Sequence, residues 1–380
     1  MQSDLIYLDC NATTPVDPRV LEAMLPYFTE HFGNAASKNH PAGWRADAAV
    51  EKARQQVASL LSCESNEVIF TSGSTESCNL AIKGVFAKYQ SKGKHIVAIA
   101  TEHKAVLDVC AALEQKGAQV TYLAVSPEGT IDLDELKNAI TEQTILVCAM
   151  LANNETGVIH PISEISRIAH GRGTLVFCDA TQAVGKMQVN IPELGADLLC
   201  LSAHKFYGPK GTGALYVKRK NPRVVLEPLI DGGGHERGLR SGTLNVPGIV
   251  GLGKACEIAS AEIWDNNARI SALRAKLEHY LLDVPGVRIN GSTRDRLYNT
   301  ANICFSGTKG ADLIPKINHR VCVSSGSACS SALAQPSHVL KAMGLSDEDS
   351  YSSIRFSLGK FTTEPEIDET ILLLKKNLPA

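Results

Sequence analysis

From Glu67 onward, short uninterrupted apolar runs alternate with stretches in which apolar side chains recur every three or four positions. The runs at 67–71, 95–100, 119–124, 145–151, 174–179, 197–201 and 213–217 are too continuous for half-exposed strands, so they predict strands covered on both faces. Helical patterns separate the first six, for example at 105–116, 134–140 and 162–170. That alternation predicts a mainly parallel seven-stranded sheet with helices on both sides. Ahead of it, residues 1–14 read as an arm. A helix is expected over 18–32, then a loop at 33–37. A second helix is expected over 42–61, with Val50, Ala53, Val57 and Leu60 on one stripe. The alternation stops after 217, and the glycine-rich stretch 231–238 reads as a flexible loop. A long helical pattern over about 250–283 ends at Pro285-Gly286. Beyond it, strands near 287–290, 300–305, 320–324 and 353–358 and a last helix over 364–378 make a smaller α+β unit. The expected division is a large domain at 15–258 and a small one built from 1–14 and 259–380.

Composition narrows the function classes. In the 380 residues, 38 Lys and Arg face 40 Asp and Glu, a net charge of −2 that offers no basic field for nucleic acid. No apolar run reaches the length of a membrane span, and Met1-Gln2-Ser3-Asp4 lacks the basic-then-apolar layout of a signal peptide. A cytoplasmic protein is expected. Eleven cysteines are many, but the number is odd and no Cys-x-x-Cys pair occurs. Neither a disulfide framework nor a four-cysteine metal site fits that spacing, and no metal is expected. Cys148, Cys178 and Cys200 lie within strand runs and read as small buried apolar residues.

The chemistry gathers where the strand runs end. Lys205, in Ser202-Ala203-His204-Lys205, follows the run 197–201 and enters a Gly- and Pro-rich turn. In an open α/β sheet that edge binds ligands, and a partly desolvated lysine there is a nucleophilic amine for a carbonyl. Thr71-Ser72-Gly73-Ser74-Thr75-Glu76 follows the first run and opens a helix, as an anion site or as a plain cap. Asp179 ends another run with Gln182 three residues on, and serves as a helix cap or as the partner of a buried cation such as a protonated pyridine. His103 and Asn154 follow two further runs, where an imidazole can lie over a flat ring and an amide can reach it. Each alone also has a bland reading as a solvated or capping residue, which taken singly outweighs the functional one at all but the 71–76 turn. Five such positions on one sheet edge point to pyridoxal phosphate (PLP) carried on Lys205.

These motifs bring a family into view. Over nearly its whole length the chain resembles the fold-type I PLP enzymes, and within them the group I cysteine desulfurases. The resemblance rests on Asn153-Asn154-Glu155-Thr156-Gly157, Asp179-Ala180-Thr181-Gln182-Ala183, Ser202-Ala203-His204-Lys205, Gly233-Gly234-His235-Glu236-Arg237-Gly238 and Ser324-Ser325-Gly326-Ser327-Ala328-Cys329. It implies that Lys205 bonds PLP, Asp179 pairs with the ring nitrogen and His103 stacks on the ring, also serving as an acid or base. It further implies that Gln182 and Asn154 contact the phenolic oxygen, and that Ser74, Thr75, Ser202 and His204 hold the phosphate. Thr243 would reach the phosphate of a second subunit in a homodimer, and Asn34 and Arg355 would bind the substrate carboxylate. Cys329, in a loop of small residues suited to a reactive thiol, would take the sulfur of L-cysteine as a persulfide. The sulfur would pass to an acceptor protein such as an iron–sulfur scaffold. Two positions depart from the usual pattern: Ala35-Ala36-Ser37 after Asn34, and Ser74 before Thr75. Within that resemblance, an end at Ala380, soon after the last helical pattern, leans the expectation towards a nitrogen-fixation-type or otherwise specialised desulfurase and away from the usual scaffold docking. The rival readings are a selenocysteine lyase or other enzyme of this fold, and a sulfur-relay protein without catalysis.

Overall fold

The computed structural model of the protein describes residues 5–308, 310–325 and 335–378. All seven apolar runs form strands of one sheet, in the order Val68–Thr71, Gly213–Val217, Leu198–Ser202, Leu175–Asp179, Thr144–Met150, His95–Ile99 and Gln119–Leu123. Every residue of the first six is buried, whereas the edge strand Gln119–Leu123 buries only Leu123. Gly213–Val217 runs antiparallel to both neighbours and the other pairings are parallel. The connection from Ser202 to Gly213 explains the exception, because it is too short for the crossover that a parallel neighbour needs. Ile69, Ile96, Phe177 and Leu198 face one core, shared with the helices Ser74–Tyr89 and Lys104–Glu114. Val97, Val147, Val176 and Leu199 face the other, shared with Pro41–Leu61 and Ile162–His170. Cys148, Cys178 and Cys200 are wholly enclosed, as small apolar residues in a strand should be.

The expected helix over 18–32 is two, Pro18–Met24 and Pro26–Thr29. Pro26 has no N–H to continue the ladder and starts a new turn instead. A 37-residue helix, Val246–Leu282, joins the two parts of the molecule. Its first half (Ile249, Leu252, Cys256) packs into the large core, and its second (Ile270, Leu277, Leu281) packs with Ile303, Phe305, Phe356 and Leu374. The second sheet is antiparallel, in the order Ser324–Ser325, Ser353–Ser357, Thr300–Phe305, Val287–Ile289. The single strand expected at 320–324 is divided, because Val321–Cys322 pairs instead with Ile6–Tyr7. The arm is therefore built into the structure: Ile6 and Leu8 sit in the second core.

The glycine-rich loop is tied down through Glu236, with Arg237 adding a bond to Val68 O (3.2 Å). Glu236 is buried, and its carboxylate accepts from Arg54 through both guanidinium ends (2.7 and 2.8 Å) and from the Phe70 N–H (2.8 Å). A buried fork of this kind contributes little net stability, but a missing partner leaves a charge without compensation. Glu236→Gln is expected to lower the unfolding free energy by about 2–3 kcal/mol, read from denaturant titration; a change below about 0.5 kcal/mol would contradict the anchoring role.

Candidate active site

Five strands, Val68–Thr71, His95–Ile99, Thr144–Met150, Leu175–Asp179 and Leu198–Ser202, deliver their carboxyl ends to one cavity of about 670 Å³. Lys205 closes the 3-10 turn Ala203–Lys205 that follows Leu198–Ser202. Its Nζ donates to the main-chain oxygens of Asn11 (2.8 Å) and Ala12 (2.7 Å). His204 shares a hydrogen bond between Nδ1 and Thr13 Oγ1 (3.0 Å). Burial, reinforced by the Lys205 and Lys210 charges, lowers the His204 pKa to about 4, so the ring is neutral near pH 7.

Asp179 is buried at the end of its strand, and Oδ1 accepts from Thr181 N (2.9 Å) and the Cys200 thiol (3.4 Å). Gln182 is held at both ends of its amide: Nε2 donates to Asn11 O (2.9 Å) and Oε1 accepts from Lys186 Nζ (2.6 Å). His103 caps the helix Lys104–Glu114 through Nδ1, which accepts from Ala105 N (3.1 Å). Its ring is solvent-accessible at the cavity mouth yet surrounded by protein groups. Desolvation therefore lowers its pKa, Asp179 opposes the shift and Lys205 adds to it. Gly73, at φ +146°, turns the chain from the strand into the helix Ser74–Tyr89, and a Cβ there would stand 3.4 Å from Ser202 Oγ. Ser74 Oγ lies 2.6 Å from Thr181 Oγ1. Glu76 would oppose an anion at this helix start, but Arg240 Nε is bonded to it (2.8 Å).

Ser74, Thr75, His103, Asn154, Asp179, Gln182, Ser202, His204, Lys205 and Arg355 all line this one cavity. Asn34 does not; it is exposed, and its Oδ1 accepts from Ala36 N (2.9 Å). Thr243 is likewise exposed and away from its own chain's cavity. Cys329 lies outside the described residues. Arg355 bonds Asp9 Oδ1 (2.6 Å) and Asn154 O (3.0 Å), while its buried Nε has no partner among the described residues.

Sequence reasoning overlooked four contributors. Asn11, read as part of a featureless arm, supplies the oxygen that holds both Lys205 and Gln182. Lys186 is buried four residues beyond Gln182, in the non-helical turn that follows the strand Leu175–Asp179, and nothing local in the sequence marked it. Ser337 and His338 line the cavity, where Ser337 Oγ donates to Glu155 (2.6 Å) and His338 Nε2 lies 2.9 Å from Glu102 O. Burial raises the pKa of Glu155, with the Ser337 bond opposing.

The aminotransferase class-V family profile matches residues 6–370. The cysteine desulfurase IscS of Anaeromyxobacter sp. (strain Fw109-5) is 55% identical over 372 residues, covering 97% of this chain and 91% of that one. A solved structure described as a NifS-like protein is 39% identical and superposes with a TM-score of 0.91 over 98% of both chains. A second, described as SspA in complex with cysteine, is 36% identical with a TM-score of 0.83, covering 94% of this chain and 100% of that one. The cavity fits PLP on its own terms. It holds an amine at the end of a buried strand, a carboxylate deeper in the sheet, and the N-terminus of a 16-residue helix. The buried Asn154 Oδ1 in its wall has no partner among the described residues. Fold, strand-end chemistry and sequence similarity agree, and the chain belongs to the aminotransferase class-V family.

Proposed function

We propose that the protein is a PLP-dependent cysteine desulfurase, which converts L-cysteine to L-alanine and passes the sulfur to acceptors. The observation that carries this reading is the meeting of Lys205, Asp179, His103 and Arg355 in one cavity, in a chain 55% identical to a protein named cysteine desulfurase IscS.

Bound PLP supplies an electron sink for charge developing at the substrate Cα. Each residue has a part around it. Ser74, Thr75, Ser202 and neutral His204 hold the phosphate at the start of the helix Ser74–Tyr89. Asp179 keeps a proton on the ring nitrogen, and the enclosing sheet strengthens that pairing by excluding water. Lys205 would hold PLP covalently, and its amine, once free, would take the Cα proton and give it back to Cα as alanine forms. Arg355 binds the substrate carboxylate through its guanidinium, beside Asn154 and Asp9. The Cys329 thiolate attacks the substrate sulfur and the carbon–sulfur bond breaks. Its electron pair passes to the substrate Cβ, which takes a proton to become the alanine methyl group. His103, whose lowered pKa keeps it largely neutral near pH 7, exchanges protons at the substrate thiol.

The active form is a homodimer in this reading. Thr243 is exposed beside the glycine-rich loop, suited to another subunit's phosphate rather than its own. Leu21, Leu25, Phe28 and Phe32 form an exposed apolar surface on neighbouring turns, as a subunit interface requires. The sulfur acceptor is a protein such as an iron–sulfur scaffold. No helix among the described residues is long and apolar enough to cross a membrane, in keeping with a site in the cytoplasm.

The deciding experiment is alanine release from L-cysteine by the purified, PLP-loaded protein with a thiol reductant present. Alanine and sulfide in equal amounts are expected. A yellow protein that forms no alanine would leave the cofactor assignment standing and sink the substrate.

A further inference from the structure

Lys186 is buried and has no carboxylate partner among the described residues. Its amine donates to Gln182 Oε1 (2.6 Å) and Asn11 Oδ1 (2.9 Å), two amide oxygens. The charged or titratable groups that act on it are Lys205, Cys10 and Arg355, and the Cys10 thiol is itself pushed up to about 12 by burial. Desolvation first, and the Lys205 charge next, bring the Lys186 amine down to about 7. A lysine held in this way is costly, and the mechanism above makes no use of it.

Its position gives it a use. Asn11 O can only accept, and it already receives Lys205 Nζ (2.8 Å) and Gln182 Nε2 (2.9 Å). Asn154 O can only accept too, and it receives Asn11 Nδ2 (3.1 Å). Both side-chain amides must therefore turn their nitrogens towards these carbonyls and their oxygens towards Lys186. Lys186 Nζ is the donor that meets both oxygens at once. Gln182 Nε2 carries two hydrogens, and Asn11 O takes one of them.

We propose that Lys186 is a positioning residue: through Gln182 and Asn11 it fixes the donor that Gln182 presents to the phenolic oxygen of PLP and the carbonyl that holds Lys205. Without Lys186 the Gln182 oxygen is buried unpaired, and the amide leaves the one orientation that serves both Asn11 O and the phenolic oxygen in seeking a donor elsewhere. The phenolic oxygen then loses its donor, and a nearby cation is lost. Both changes favour protonation at the Lys205–PLP bond.

This inference rests on the reading of Lys205 and Gln182 as cofactor-binding, and one experiment separates the two. The visible absorbance of the PLP-loaded protein is followed against pH, alongside cofactor affinity and thermal unfolding. Lys186→Met is expected to raise the absorbance midpoint by about one pH unit or more and to weaken PLP binding about tenfold. Lys186→Arg keeps a donor-only cation and should return the midpoint most of the way. In a Gln182→Leu background the Lys186→Met shift should shrink, because the orientation it guards is gone. If Lys186→Met does not fold, Lys186→Gln serves as the neutral variant. A midpoint unmoved by the neutral variant, Met and Arg variants shifted alike, or shifts that add fully to that of Gln182→Leu would each overturn the proposal. A wild-type protein with no visible absorbance would instead sink the cofactor assignment itself.

Discussion

Replacing Lys205 with alanine is expected to reduce alanine formation from L-cysteine by at least about 10³-fold, with the fold intact. Two losses combine. Proton transfer by a positioned group contributes about 10²–10⁴-fold by itself, and the covalent hold on the cofactor is lost as well. Among the described residues no nearby amine is placed to substitute. Lys186 is locked between two amide oxygens, and Lys104 and Lys210 line the cavity from exposed positions. The fold should tolerate the change, because Lys205 is half-buried and bonds main-chain oxygens of Asn11 and Ala12 rather than a buried side chain there. Single-turnover alanine analysis with thermal unfolding in parallel checks both halves. A variant keeping more than about a tenth of the wild-type rate would remove Lys205 from the chemistry.

The second large effect belongs to a thiol. Cys329→Ala is expected to retain PLP and its absorbance but to form no persulfide, with alanine formation down at least about 100-fold. The case is one of elimination as well as of chemistry. Of the ten described cysteines, eight are buried and Cys63 and Cys322 are half-buried. Burial raises the thiols of Cys10 and Cys63 to about 12, far from the thiolate a sulfur acceptor must be. None of the ten lines the cavity. Intact mass after exposure to L-cysteine decides: an added sulfur atom on the variant, equal to that on the wild type, would place the persulfide elsewhere.

The large domain was legible because its strands are covered on both faces. Burial on both sides leaves a continuous apolar run, and Leu198–Leu199–Cys200–Leu201 announces itself without an alignment. The residues at strand ends were legible for the same reason: once the runs are found, their carboxyl ends fall into place, and ten of the expected residues line one cavity. What escaped was held by distant contacts. Asn11 bonds Thr300, Lys186 and Asn154, partners more than 140 positions away, and nothing in its neighbours announces them. Asn34 shows the opposite case: a motif position that its own chain leaves outside the cavity, bonded locally to Ala36. Pro26 was a local signal that the helical period concealed, and the backbone obeyed the proline.

Asn11 also bears on how the protein is made. Translation delivers this residue almost first, yet its partners Gln182, Lys186 and Lys205 emerge much later, and Asn299, Thr300 and Ser357 later still. A nascent chain can build the seven-stranded sheet as a unit while the ribosome is still at work. The floor beneath the catalytic lysine closes only when the last strand of the second sheet has left the exit tunnel. Cofactor capture therefore belongs to the finished polypeptide, and a truncated product ending before Ser353 would carry the lysine and its two carbonyls without the strand that anchors the 11–12 segment.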